Sequence, residues 1–434
     1  MPKILNLLIA IVVVAAACQS PKTEETTSGI INDAAKARID STLKAMVDQS
    51  KIAGVSALIV EKDKEVYFNS FGYADREANK PFDRNTIVRI YSMTKPVTGV
   101  ALMQLYEKGL FQLDDPLEKY CPEFANMKVV SGSDAKGKMT LVAANRPITV
   151  RDITRHTAGW ARGDEHPDMP DMLKNADVMN RQNTLAQMAE KLGKLPLGFQ
   201  PGEKWSYGIS VDVQAYLVEK LSGKPFDQYV RENILDPLKM TTTGYVAKDF
   251  ERFAAVYNRE RDTANNFTGV LTRIPEDNEF VNGFNKQEWP LKPGGFGLTS
   301  TVDDYQRFAR MLVNEGTFDG ATILKPETVQ LMATNQLADS VTDRMWLPSK
   351  GQVGFGIDFA VRMRPPQDAK ENNGVVGEFF WDGAASTLFW VDPVNELTAV
   401  MFVQVFPFHN ELHKVFRDAV YGKAKIESPP TASN

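Results

Sequence analysis

The spacing of apolar and polar positions divides the chain into a strand-rich start, a helical middle and a strand-rich end. Apolar side chains recurring at helical spacing over 33–48 predict an amphipathic helix. An apolar run at 54–60, the charged turn Glu61-Lys62-Asp63-Lys64 and a second run at 65–71 predict a β-hairpin. Helical patterns follow at 96–108, 150–156, 185–192, 211–221, 226–235 and 303–314. Several of these close on glycine, at Gly109, Gly193 and Gly223, which is common helix C-terminal chemistry. The polar stretches 127–145 and 161–183 read as surface loops or lids. Strands return at 354–362, 376–381, 386–391 and 397–406, and a last helix is predicted at 411–421. This order predicts an α+β fold: an antiparallel sheet built from both chain ends and flanked by helices, plus a mostly helical lobe.

At 434 residues, 43% of them apolar and 24% charged, the chain can bury a large core. A net charge of −5 with no basic stripe argues against a nucleic-acid partner. The N-terminus changes the picture. Lys3 precedes an uncharged, mostly apolar run over 4–17, ending in Ala15-Ala16-Ala17-Cys18. That anatomy is a secretory leader, too short to span a bilayer comfortably. Cys18 directly after small residues resembles a bacterial lipobox, in which the thiol is lipidated and becomes the mature N-terminus. The reading divides the chain into a lipoprotein-type leader (1–18), a polar tether (19–29), one large folded domain (30–424) and a tail (425–434). It predicts an envelope lipoprotein facing the periplasm or cell exterior. The other thiol, Cys121, has no metal-ligand neighbours and reads as a small buried residue.

The candidate chemistry centres on Ser92-Met93-Thr94-Lys95, where an apolar, β-rich stretch gives way to an amphipathic run. Serine at a helix start with lysine three residues on puts both side chains on one face. The lysine then acts as a base for the hydroxyl if burial or a neighbouring charge lowers its proton affinity. The S-x-x-K spacing is itself cheap. Ser41–Lys44 falls within the first helix and Ser133–Lys136 within a polar loop, and both read as solvated.

Context distinguishes Ser92. The chain resembles the serine β-lactamase/penicillin-binding-protein superfamily, in particular its class C-like and family VIII carboxylesterase branch. Besides Ser92 and Lys95, four segments carry the resemblance in order: Val150 to Gly159, Pro201 to Tyr207, Asp236 to Met240, and Gly294 to Asp304. The resemblance implies a β-lactamase/transpeptidase-like fold with Ser92 as the acylated nucleophile. Lys95 and Tyr207 would be its proton-handling partners, with the primary base left open between them. Trp381-Asp382-Gly383-Ala384 aligns with the family's K-T-G strand edge, so the backbone N–H groups of Ser92 and Ala384 would form the oxyanion hole.

Two departures bear on substrate. Ile209 replaces the asparagine of Y-x-N, and Trp381 and Asp382 replace the lysine and threonine of K-T-G. An exposed Asp382 would repel the carboxylate that β-lactams carry, and Trp381 would offer apolar surface. A cation from elsewhere, Lys292 or Arg364, would change that balance. The substrate-binding set is therefore Trp381, Asp382, Gly383 and Ile209, and the expected activity is carboxylester hydrolysis of neutral or hydrophobic acyl esters. A β-lactamase, a D-amino-acid peptidase, an acyltransferase and a catalytically idle envelope-binding protein are the rivals. His156 reads as structural, and Asp152 and Asp212 as cap or network residues. The four histidines show no metal-ligand spacing, and no G-x-S-x-G elbow occurs. The reading calls for no cofactor and no metal, and for a small ester or amide as partner.

Overall fold

The computed structural model describes residues 29–423. The leader, nearly all of the tether, the tail and the Cys18 reading lie outside them. Among the described residues, no helix is long and apolar enough to cross a membrane.

The hairpin Gly54–Glu61/Lys64–Asp75 joins the C-terminal strand Leu397–Val403, with Val55 opposite Val403 and Glu61 opposite Leu397. Strands Leu388–Asp392, Phe379–Asp382, Ala360–Arg362 and Val353–Phe355 continue the sheet antiparallel on that side. Both chain ends thus build one sheet, as the α+β reading predicts.

Its central strands read as unbroken apolar runs because both faces are covered. Adjacent residues of one strand show this directly. Phe389 packs on Tyr305 of helix Val302–Val313 at 5.0 Å between ring centroids. Trp390 points to the opposite face and meets Phe416 of helix Asn410–Tyr421 at 5.4 Å. The helix Asp33–Asp48 lies alongside that last helix.

Several elements differ from the sequence expectation. Residues 127–145 form a hairpin, Lys128–Ser133 with Met139–Ala143, and 161–183 contains the helix Met169–Ala176. Residues 354–362 are two short strands around a turn at Asp358 (φ 59°). Residues 397–406 break at Gln404, whose side chain accepts from Arg89 N and donates to Arg89 O. The chain then starts a separate pairing, Val405–Phe406 parallel to Tyr257–Arg261. Gly109 (φ 70°) and Gly223 (φ 69°) do follow helix ends in left-handed backbone. Gly193 does not: it is there for close approach, since a Cβ would sit 2.1 Å from the Glu123 carbonyl oxygen.

The helix Thr94–Glu107 is buried on every side from Thr94 to Leu105 rather than on one stripe. It runs through the middle of the molecule against helix Ser210–Ser222, and a helix so placed has no polar face to show.

Candidate active site

Ser92 sits in the single turn Tyr91–Met93 that opens into helix Thr94–Glu107. The residue before it, Tyr91, has φ 44°, an unfavourable left-handed conformation for a bulky side chain. Surrounding contacts over-determine it: Tyr91 packs edge-on against Phe406 at 5.5 Å, Ile90 N donates to Leu298 O, and Tyr305 Oη donates to Met93 O at 2.7 Å. No hydrogen bond among the described residues takes the backbone N–H of Ser92 or of Ala384, and both residues line one cavity.

Lys95 Nζ lies 3.2 Å from Ser92 Oγ and donates to Gly295 O at 2.6 Å. The glycine segment laces this helix in place, with Thr98 Oγ1 donating to Gly294 O and Leu298 N to Thr94 Oγ1. Gly295 N donates in turn to Asp212 Oδ1 at 3.0 Å, so one glycine links the amine and a buried carboxyl. Burial lifts Asp212 to a pKa of about 6 against the pull of Lys95 and the backbone N–H groups. Asp358 is also buried nearby, accepts from Gln214 Nε2 at 3.1 Å, and is pushed well above the carboxylate range by burial. Asp212 is thus a network residue, as expected, and its network includes Lys95. Asp152 is a cap residue that completes a capping box with Thr149 and pairs with Arg146.

Tyr207 presents its ring to Lys95, with Nζ 4.5 Å from the centroid, and its hydroxyl accepts from Trp381 Nε1 at 3.3 Å. Trp205, His156 and Trp346 pack around the same ring. His156 is fully buried, and desolvation together with Lys95 drives its pKa well below the usual imidazole value. It stays neutral, a packing partner of Tyr207.

The strand edge corrects one expectation. Asp382 is buried and ion-paired with Lys350, and His413 Nδ1 lies 4.0 Å away. It is not the exposed anion inferred from its neighbours in sequence, because its partner arrives from a turn 32 residues earlier. Neither Lys292, paired with Glu288, nor Arg364 is the cation there. Trp381 and Gly383 are buried as well. Gly383 acts as a spacer, because a Cβ there would lie 2.5 Å from Ile90 O, beside the Ser92 turn.

Two cavities flank these residues. One, about 440 Å³, is lined by Ser92, Lys95 and Ala384 together with apolar groups such as Phe284, Phe296 and Phe406. Ile209 and Tyr207 line the other. Sequence reasoning missed Phe284, Met179 and Lys350, which are single residues at wide intervals with no motif to mark them; Phe296 lies within the Gly294–Asp304 landmark but was not read as a cavity residue. Among the described residues no group of His, Cys, Asp or Glu is placed to hold a metal.

A buried helix opening on a Ser-x-x-Lys pair, beside an antiparallel sheet edge, defines a serine-hydrolase scaffold. The Beta-lactamase family pattern matches residues 39–420, and the chain belongs to that family. It is 32% identical over 376 residues to Protein Rv1367c of Mycobacterium tuberculosis, covering 85% of this chain and 89% of that one. It is 26% identical to Esterase EstB of Burkholderia gladioli, covering 89% and 95%. Among solved structures, EstCE1, a hydrolase with promiscuous acyltransferase activity, superposes with a TM-score of 0.70 at 26% identity, covering 90% of this chain and 99% of that one. The protein is a serine hydrolase with a β-lactamase/transpeptidase-like α+β fold.

Proposed function

We propose that the protein is a carboxylesterase that acts on neutral or hydrophobic acyl esters through an acyl-enzyme on Ser92. The observation that carries this reading is the Ser92–Lys95 pair opening onto an apolar cavity whose nearby charges are already engaged. Asp382 is tied to Lys350, Arg181 to Glu279, and Arg89 donates to Val281 O, Ala254 O and Asn282 Oδ1. A substrate carboxylate, which β-lactams and D-Ala-D-Ala stems carry, would have to compete with Glu279 for Arg181 and with three neutral acceptors for Arg89. The likeness to a named esterase supports the same reading.

In this mechanism Lys95 takes the Ser92 proton as Oγ attacks the ester carbonyl. The oxyanion accepts from the N–H groups of Ser92 and Ala384, each such donor being worth about 2.7–4 kcal/mol in the transition state. The carbon–oxygen bond to the alcohol breaks, and the proton passes by way of Tyr207 to the departing oxygen. Water then attacks the acyl-Ser92 carbonyl and gives a proton to the Lys95–Tyr207 pair, which passes it to Oγ as the acyl–oxygen bond breaks, releasing the carboxylic acid and free Ser92. The leader anatomy supports export and anchoring of this enzyme through Cys18.

The test is fluorophosphonate labelling followed by peptide mapping, with p-nitrophenyl butyrate turnover measured in parallel. A single adduct on Ser92 and ester turnover lost in Ser92→Ala are expected. Faster hydrolysis of a chromogenic cephalosporin than of the ester would overturn the esterase assignment in favour of a β-lactamase. Neither label nor turnover would leave an idle binding protein.

A further inference from the structure

The second cavity, about 410 Å³, lies on the Tyr207 side of the site. Its walls are Trp160, Leu173, Val178, Leu192 and Ile209, and the charged Arg162, Lys174 and Asp177 stand exposed at its rim. Tyr207 lines this cavity and not the first, whereas Ser92, Lys95 and Ala384 line the first and not the second. Met179 lines both. Each volume falls in the range of about 300–1,000 Å³ that buries a small organic group.

The chemistry allots the two chambers. In ester cleavage the carbonyl oxygen must sit at the Ser92 and Ala384 N–H groups, so the acyl chain extends into the chamber those residues line. The leaving oxygen must face the group that returns its proton, and in the proposed mechanism that group is Tyr207, a residue of the other chamber's lining. We infer that the enzyme is a two-chamber esterase, with the acyl half in the Ser92–Phe296 cavity and a bulky apolar alcohol half in the Trp160–Ile209 cavity. Met179 is the partition between them. Its unbranched, flexible side chain suits a wall that yields when a substrate bridges both sides. This assignment rests on the esterase reading above and adds to it which part of the substrate each wall selects.

Two ester series separate the chambers in the full-length protein. One varies the acyl group at constant alcohol, p-nitrophenyl acetate to decanoate. The other varies the alcohol at constant acyl group, methyl, hexyl and 1-naphthyl acetate. Leu173→Trp and Ile209→Trp each fill the second chamber, from a separate helix and from the segment after Tyr207. Both are expected to lower the naphthyl-to-methyl ratio of kcat/KM about tenfold or more, and to leave the decanoate-to-acetate ratio within about twofold. Ratios within one variant cancel any general loss of activity. Met179→Ala is expected to flatten both ratios. Ester turnover with an unmoved alcohol ratio, or with the acyl ratio moving instead, overturns the chamber assignment alone. Absence of Ser92 labelling and of turnover overturns the esterase reading and this inference with it.

Discussion

At the scale of single residues, Lys95 Nζ lies 3.2 Å from Ser92 Oγ and 4.5 Å from the Tyr207 ring centroid. These three candidates lie within short local patterns, which is why the sequence marks them. Asp382 was misread as exposed because its environment is made by Lys350, which local sequence does not place beside it. Ser92→Ala is expected to abolish ester turnover, and Lys95→Ala and Tyr207→Phe each to lose about 10²–10⁴-fold in kcat. A Lys95→Ala enzyme with unchanged kinetics would remove lysine from the mechanism. Asp212 makes a different claim. Its carboxyl has a pKa of about 6 in the folded protein against 3.8 as an ordinary aspartate. Between those values the folded state holds a proton that the unfolded chain has released, so this group lowers stability as pH rises through the window. The penalty reaches about 3 kcal/mol above pH 6. Asp212→Asn should remove that slope: urea unfolding of variant minus wild type is expected to shift by about this amount between pH 4 and 6.5. A pH-independent difference would show that Asp212 does not titrate there.

At the scale of elements, periodicity located the sheet strands and most helices, and it failed where burial came from tertiary contacts. Helix Thr94–Glu107 looked one-sided in sequence and is enclosed on all sides. The hairpin Lys128–Ser133/Met139–Ala143 was missed because it is polar and largely exposed, which reads as loop. The strand at 397–406 was drawn too long because a glutamine side chain standing in for backbone pairing leaves no periodic trace. The strand edge beside the nucleophile offers an element-level test. Gly383→Ala would bring a methyl within 2.5 Å of Ile90 O and 2.2 Å of Thr387 Oγ1, so the end of Phe379–Asp382 must move away from the Ser92 turn. Because an ångström of misplacement costs about 10²-fold, kcat is expected to fall 10–100-fold while urea unfolding changes far less. Retained kcat would mean that the strand edge does not set the oxyanion geometry.

At the scale of the whole molecule, three buried histidines tie stability to pH. Burial depresses His409 to a pKa of about 3 and His413 to about 4, and holds His156 well below the ordinary value of 6.5. Below pH 6.5 the unfolded chain takes up protons that the folded one refuses, so their contribution to stability is complete above that pH and lost as pH falls. His409 and His413 are each expected to cost about 2 kcal/mol between pH 6.5 and pH 5, and His156 acts in the same direction. A thermal melt should show a marked drop in Tm over that interval, and His413→Gln should lessen it. An unchanged Tm would place these rings in contact with water. The proposed anchor is tested on the whole chain: wild type is expected in the membrane fraction and Cys18→Ser in the soluble fraction, and identical fractionation would remove the lipoprotein reading.

The sheet's pairing order has a consequence in time. The strand Gly54–Glu61 lies between a neighbour made just after it and one made near the end, Leu397–Val403. The turn carrying Ser92 likewise waits for Ala384, and Tyr91 waits for Phe406. Pairings this distant in sequence are slow to form, since the intervening chain must be closed before any contact rewards it. A nascent chain therefore carries Ser92 long before Ala384 stands beside it. In the proposed mechanism the catalyst is switched on by its own completion, and an unfinished chain is expected to be silent toward esters.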